Sequence, residues 1–157
     1  MTEAYAIVIL GKEPVPGSVM TRLAKDIGND KASQVQWTLA MHIMHTLSTI
    51  AQPIILQLKG NLDGAFANQC AELGVKVERQ ASGTLTEKIF HASKRAKRTL
   101  IMGMDMPLVD LSELELAMKT NSLILGPTED GGYWIVGGTD IPLELLSNIP
   151  WSTDKVW

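Results

Sequence analysis

The chain has 157 residues, a formal net charge of −3 and a hydrophobic fraction of 45%, so residues 1–157 read as one domain with enough apolar material for a core. The acidic balance and the absence of a long like-charge run exclude a nucleic-acid binder held by bulk electrostatics, while leaving room for a local phosphate site. The lone cysteine, Cys70, excludes an intrachain disulfide. With no basic leader ahead of the short apolar run Ala6–Leu10, the sequence predicts neither a signal peptide nor a membrane span, and reads as cytoplasmic.

Short apolar runs alternate with amphipathic stretches. Tyr5–Leu10 reads as a buried strand. Asp30–Ile50 carries Ala32, Val35, Leu39, Ile43, Leu47 and Ile50 at spacings of three and four, which predicts a helix with those residues on its inner face. After Pro53, Ile54–Leu58 reads as a second strand. Asp63–Leu73 reads as a helix closed by Gly74, and Val75–Glu78 as a third strand. Thr84 and Glu87 form a capping box ahead of a helix whose inner face is Leu85, Ile89, Ala92 and Ala96. The basic cluster Lys94, Arg95, Lys97 and Arg98 at its end suits the helix dipole and solvent. Thr99–Gly103 reads as a fourth strand. Ser112 and Glu115 suggest a second capping box, and Ser122–Leu125 and Tyr133–Val136 read as the last two strands.

Strands alternating with helices predict a three-layer α/β/α fold with a mostly parallel sheet. Too few residues separate Leu125 from Tyr133 for a crossover, so one strand is expected to be antiparallel. Right-handed crossovers commonly set the fourth strand beside the first. The loops after those strands, Gly11–Leu23 and Met104–Asp110, then face each other across one crevice at the carboxyl ends of the strands.

The first loop, Gly11-Lys12-Glu13-Pro14-Val15-Pro16-Gly17-Ser18-Val19-Met20-Thr21-Arg22-Leu23, is neither a P-loop nor a dinucleotide fingerprint. Lys12 and Arg22 could meet an anion, and Gly17 allows close backbone approach; an ordinary strand–helix connection with two solvated cations accounts for it equally well. Asp105, in Met104-Asp105-Met106-Pro107, could hold a divalent cation bridging a diphosphate, or could be a turn aspartate before proline. Glu129, Asp130, Gly131 and Gly132 read as turn chemistry between two strands, while the carboxylates beside Tyr133 and Trp134 would suit a hydroxylated acceptor. His42 and His45, three apart on one helix, are a weak match to a zinc pair. Nothing marks Cys70 as a nucleophile.

Taken together, Lys-x-Pro-x-Pro-Gly…Thr-Arg-Leu, Gly-x-Asp-x-Pro, Gly-Pro-x-x-Asp-Gly-Gly-Tyr-Trp and Ile-Pro-Trp-Ser-Thr resemble a bacterial glycosyltransferase-like family that includes members linked to arsenosugar biosynthesis. The resemblance runs from Ile9 to Val156. It implies a glycosyltransferase A-type, nucleotide-diphospho-sugar transferase fold. It also implies a metal-dependent glycosyltransferase that takes a nucleotide-sugar donor and a small-molecule acceptor. On that resemblance Lys12, Gly17 and Arg22 would hold the nucleotide phosphates, and Asp105 would coordinate Mg²⁺ or Mn²⁺. Glu129 and Asp130 would carry the acceptor chemistry, Gly131 and Gly132 would line that side, and Trp151 would close the crevice.

Three departures from the family pattern stand out. Met20 occupies a position that is usually lysine. Thr86 and Lys88 replace a glycine and an arginine. The sequence ends at Trp157, where family members usually continue, so the copy is expected to be shortened at its C-terminus. Two alternatives follow: a nucleotidyltransferase that releases pyrophosphate from the same crevice, and a non-catalytic nucleotide-binding relative. In the latter an apolar surface at Trp157 could support a homodimer.

Overall fold

A computed structural model describes residues 5–50, 53–120, 122–151 and 153–156. In chain order the elements are β1 (Tyr5–Lys12), α1 (Thr21–Ile27), α2 (Asn29–Leu47), β2 (Ile54–Lys59), α3 (Ala65–Glu72), β3 (Lys76–Arg79), α4 (Leu85–Ser93), β4 (Arg98–Met102), α5 (Leu111–Lys119), β5 (Ile124–Pro127), β6 (Tyr133–Thr139) and α6 (Leu143–Leu146). The six strands form one sheet in the order β3-β2-β1-β4-β6-β5. β1, β2, β3 and β4 pair in parallel, and β6 runs antiparallel to both its neighbours. The mostly parallel sheet with one reversed strand is therefore present, and β4 does lie beside β1.

The alternation of a strand divides the core into two layers. Ile7 and Ile9 of β1, with Leu56, Leu58, Leu100 and Met102, pack against Ile43, Met44 and Leu47 of α2, Phe66 of α3 and Leu114 of α5. Ala6 and Val8, with Ile55, Ile101 and Val136, face Ile89 and Ala92 of α4 and Leu146 of α6. The register Val8↔Ile101 and Ile9↔Met102 keeps each face continuous across β1 and β4. Both faces are covered by helices, which completes three layers. No helix among the described residues is long and apolar enough to cross a membrane.

Local signals explain most boundaries. The Thr84 hydroxyl accepts from the Glu87 N–H while Glu87 accepts from the Thr84 N–H, which is the expected capping box. After α3 the Gly74 N–H bonds the Ala71 carbonyl and the Val75 N–H bonds that of Cys70, so Gly74 closes the helix as expected.

Four readings change. Asp110, not Ser112, caps α5: its Oδ1 accepts from the Ser112 and Glu113 N–H groups, and Ser112 lies inside the helix. The inner face of α2 is Ala32, Gln36, Ala40, Ile43, Met44 and Leu47, with Val35 and Leu39 half-buried. Gln36 turns inward because its amide bonds the Met104 carbonyl at 3.1 Å. Arg98 is buried rather than solvated: it opens β4, bonds Thr139 Oγ1 and the Met118 carbonyl, and covers the Tyr5 ring. Arg95 is held by Glu78. Finally, the first loop ends in an unpredicted helix, α1, which starts at Thr21 and runs past Leu23 to Ile27; none of its side chains is fully buried, so it carries no strong apolar face to read.

Candidate functional site

Parallel strands β1, β2 and β4 end on one side of the sheet, and the reversed β6 begins there. Three adjoining cavities follow that edge. The first, of about 360 Å³, lies between the ends of β1 and β4 and holds Lys12, Lys59 and Lys88, with Gln36, Gln80 and Asp105. The second, of about 760 Å³, is lined by Arg22, Asp105, Asp130, Tyr133, Trp134, Thr153 and Asp154. The third, of about 650 Å³, shares Asp130, Tyr133 and Trp134 with the second and extends to Met106, Leu108, Asp110, Glu113 and Glu129. Asp105 belongs to the first and second cavities alike and so marks their junction.

The lysine cavity is rigidly framed. Lys12 sits at the end of β1 and donates from Nζ to the Ser18 carbonyl at 2.8 Å, closing the loop on itself. Glu13 anchors the same loop to β2: its N–H bonds the Lys59 carbonyl and its carboxylate accepts from the Asn61 N–H. Two glutamine amides clamp the loop roots. Gln36 holds the Met104 carbonyl, and Gln80 donates to the carbonyls of Gly11 and Gln57, each at 3.1 Å. Lys88 reaches the cavity from α4 although it stands where the resembling family has arginine. Gln80 heads the segment, running to Lys88, that departs from the resembling family's pattern, whereas Lys59 and Gln36 come from segments that gave no motif. Lys59, however, ends a parallel strand, the position at which ligands of such sheets bind.

The predicted residues divide. Lys12 and Asp105 share the first cavity, and Arg22 reaches Asp105 only across the second. Gly17 is exposed and lines none of the three cavities. Met20, at a usual lysine position, takes a left-handed φ of 46° immediately before α1. Asp105 is exposed, with no hydrogen-bond partner among the described residues; its carboxylate lies over Gly103.

Asp130 has structural work within its turn. Its Oδ1 accepts from the Thr128 hydroxyl at 2.6 Å and the Gly132 N–H at 3.2 Å, and these bonds hold its carboxyl below the ordinary aspartate value. A carboxylate stabilised in this way is a poor proton acceptor. Glu129 beside it is exposed and has no such bonds.

Gly131 serves the C-terminal segment. Its φ is +82°, its carbonyl accepts from the Val156 N–H at 3.1 Å, and the Asp154 backbone lies directly over it. This docking brings Thr153, the last residue of the Ile-Pro-Trp-Ser-Thr segment, and Asp154, which no motif marked, to the wall of the second cavity.

Tyr133 is the pivot between the cavities. Burial, and secondarily the charge of Asp105, pushes its phenol up to about 12, so it stays protonated and can donate a hydrogen bond. Trp151 stands behind Tyr133 rather than across the crevice. The rings meet edge to face at 4.9 Å, and the indole N–H donates to Thr86 Oγ1 at 2.9 Å. Thr86, which replaces a family glycine, passes that bond on to the Leu146 carbonyl. Cys70 is buried on the inner face of α3, its thiol pushed up to about 11 by burial, as suits a packing residue.

None of the curated proteins matches the sequence. Among solved structures the chain is similar to a protein of Desulfovibrio desulfuricans G20, provisionally described as a nucleotide-diphospho-sugar transferase. The TM-score is 0.85 at 22% identity, over 99% of this chain and 72% of that one. At that identity the likeness establishes the fold, and it is the nucleotide-diphospho-sugar transferase type expected from the motifs. Residues 42–153, which include β2 to β6 and two of the three acidic residues of the second cavity, Asp105 and Asp130, match the family described as "Uncharacterized protein conserved in bacteria (DUF2064)", and the chain belongs to that family.

Proposed function

We propose that the protein transfers a glycosyl group from a nucleoside-diphosphate sugar to a hydroxyl-bearing acceptor. The observation that carries this reading is the position of Asp105, between a cavity with three lysines and one lined by carboxylates and aromatic rings. Lys12, Lys59 and Lys88 suit an anionic diphosphate, which a neutral sugar would not require. Asp105 and Tyr133 then mark where the sugar meets the acceptor.

Among the described residues no three His, Cys, Asp or Glu side chains gather as a metal-binding group. A single free carboxylate is nonetheless the usual protein share of a Mg²⁺ or Mn²⁺ site in which substrate phosphates and water complete the shell. Asp105 would hold such an ion, and the ion would supply Lewis-acid stabilisation of the leaving diphosphate.

In the reaction the acceptor oxygen bonds the anomeric carbon, the bond from that carbon to the diphosphate breaks, and the electron pair leaves with the nucleoside diphosphate. The hydroxyl proton passes to a carboxylate. Glu129 suits that role better than Asp130, whose Oδ1 already accepts from Thr128 and Gly132. Lys12, Lys88 and Arg22 neutralise charge, and Tyr133 offers a protonated donor at the junction.

The test is thermal stability against a panel of nucleoside-diphosphate sugars with and without Mn²⁺, because a ligand that binds the native state raises stability. The reading expects a metal-dependent rise for at least one donor and its loss in Asp105→Ala. A rise that Asp105→Ala leaves unchanged would remove Asp105 from the site.

A further inference from the structure

The cleft is divided by charge. The first cavity is basic, whereas the third contains Asp110, Glu113, Glu129 and Asp130 with no Lys, Arg or His among its described lining residues. Two of these carboxylates are fixed as anions by their own hydrogen bonds: Asp110 by Ser112 and Glu113, Asp130 by Thr128 and Gly132. None of the four forms an ion pair with a described residue; the ion pairs present belong to Glu78.

Between the acids the wall is apolar and aromatic. Leu108 is 80% exposed, and Met106 and Pro107 lie beside it. The Trp134 indole lies across bare Gly126 of β5, where a Cβ would come within 2.9 Å of Trp134 Cδ1 and closer still to Nε1. The carboxylates can accept hydrogen bonds from the hydroxyls of an acceptor, but four of them with no basic residue in the same lining also favour a positive charge on it, and an anion would be repelled. Carboxylates around an indole and a phenol ring are the combination that attracts an organic cation.

From this we infer that the third cavity binds a hydroxyl-bearing organic cation, an amino or quaternary-ammonium alcohol. As an identification of the acceptor this rests on the transferase reading; as a binding site it does not. The hydroxyl would point past Asp130 towards Tyr133 and the second cavity, with the cationic head between Trp134 and Glu113.

The probe is choline, with 3,3-dimethylbutan-1-ol as its uncharged isostere, titrated calorimetrically into the full chain without donor. Choline is expected to bind roughly tenfold tighter than the isostere. Glu113→Gln should weaken choline on the order of threefold and leave the isostere unchanged. Trp134→Leu should weaken choline by about tenfold while keeping the apolar wall. Glu113 is on the exposed face of α5, so its variant reports even if Trp134→Leu fails to fold. Equal affinities for the two probes, no heat from choline up to about 0.1 M, or a choline affinity indifferent to Glu113→Gln would each overturn the assignment. Choline binding with no donor-dependent stabilisation would leave this site standing and remove the transferase reading. Donor-dependent stabilisation with equal probe affinities would do the reverse.

Discussion

Gly131→Ala should undock the C-terminal segment. At φ +82° an alanine costs about 1 kcal/mol in the left-handed region. Its Cβ would lie 2.6 Å from the Asp154 carbonyl carbon and 2.9 Å from its Cα, with the carbonyl oxygen closer still. These are backbone atoms, so no rotamer change relieves the clash, and the segment must move. The cost is then limited to what docking contributes. That is one hydrogen bond from the Val156 N–H, worth about 1 kcal/mol, and the burial of Val156, worth about 1.5 kcal/mol. The total destabilisation is about 2.5 kcal/mol, or roughly 5–10 °C in Tm at this chain length. Gly132→Ala is the control. Gly132 has no left-handed φ, and its Cβ would meet only the Thr128 and Asp130 side chains at 3.1 Å and 3.3 Å. Urea denaturation of both variants, with the rate of tryptic cleavage after Lys155, measures the effect. Equal stabilities for the two variants, or unchanged cleavage at Lys155 in Gly131→Ala, would refute the docking argument.

Two further outcomes follow from charge and burial. Burial alone would raise the Glu78 carboxyl, but hydrogen bonds from Arg95 and Gln57 and the charges of Arg95 and Lys76 outweigh it and hold it low. A depressed carboxyl contributes stability that is present above its ordinary value of 4.5 and lost as pH falls through the folded value. The wild type should therefore lose more stability than Glu78→Gln between pH 5 and pH 3, and parallel curves in urea titrations would contradict this. Cys70, buried and with its thiol near 11, should resist a disulfide reagent at pH 8 in the native state and react only on unfolding. Native-state labelling as fast as that of a free thiol would show that the α3 layer opens.

The sequence made the scaffold readable because its signals were local. Thr84 and Glu87 announce a helix start, Gly74 a helix end, and the short Leu125–Tyr133 separation a reversed strand. The adjacency of β1 and β4, inferred from topology, brought Lys12 and Asp105 to one cavity. What escaped was polar and long-range. Gln36 is 68 residues from the carbonyl it holds, so an apolar pattern assigned its face of α2 to Val35 and Leu39 instead. Arg98 looked like one more solvated cation because its partners, Met118 and Thr139, lie 20 and 41 residues away. α1 fully buries no side chain, so no strong periodicity could mark it. Trp151, expected over the crevice, finds its hydrogen-bond partner at Thr86, and Gly131 makes room for Asp154 and accepts from Val156; neither pairing has a spacing that sequence could reveal. Lys59 and Asp154 joined the cleft for the same reason.

The central claim is that this cleft cleaves a nucleotide sugar between diphosphate and sugar. Incubating the protein with a panel of nucleoside-diphosphate sugars or nucleoside triphosphates, Mn²⁺ and a set of hydroxyl-bearing acceptors, cationic (choline among them) and neutral, and assaying both free nucleoside diphosphate and pyrophosphate, tests it directly. Nucleoside diphosphate released from one sugar donor, and lost in Asp105→Ala, is the predicted result; pyrophosphate released from a triphosphate, or no release from any donor by a folded protein, would contradict it.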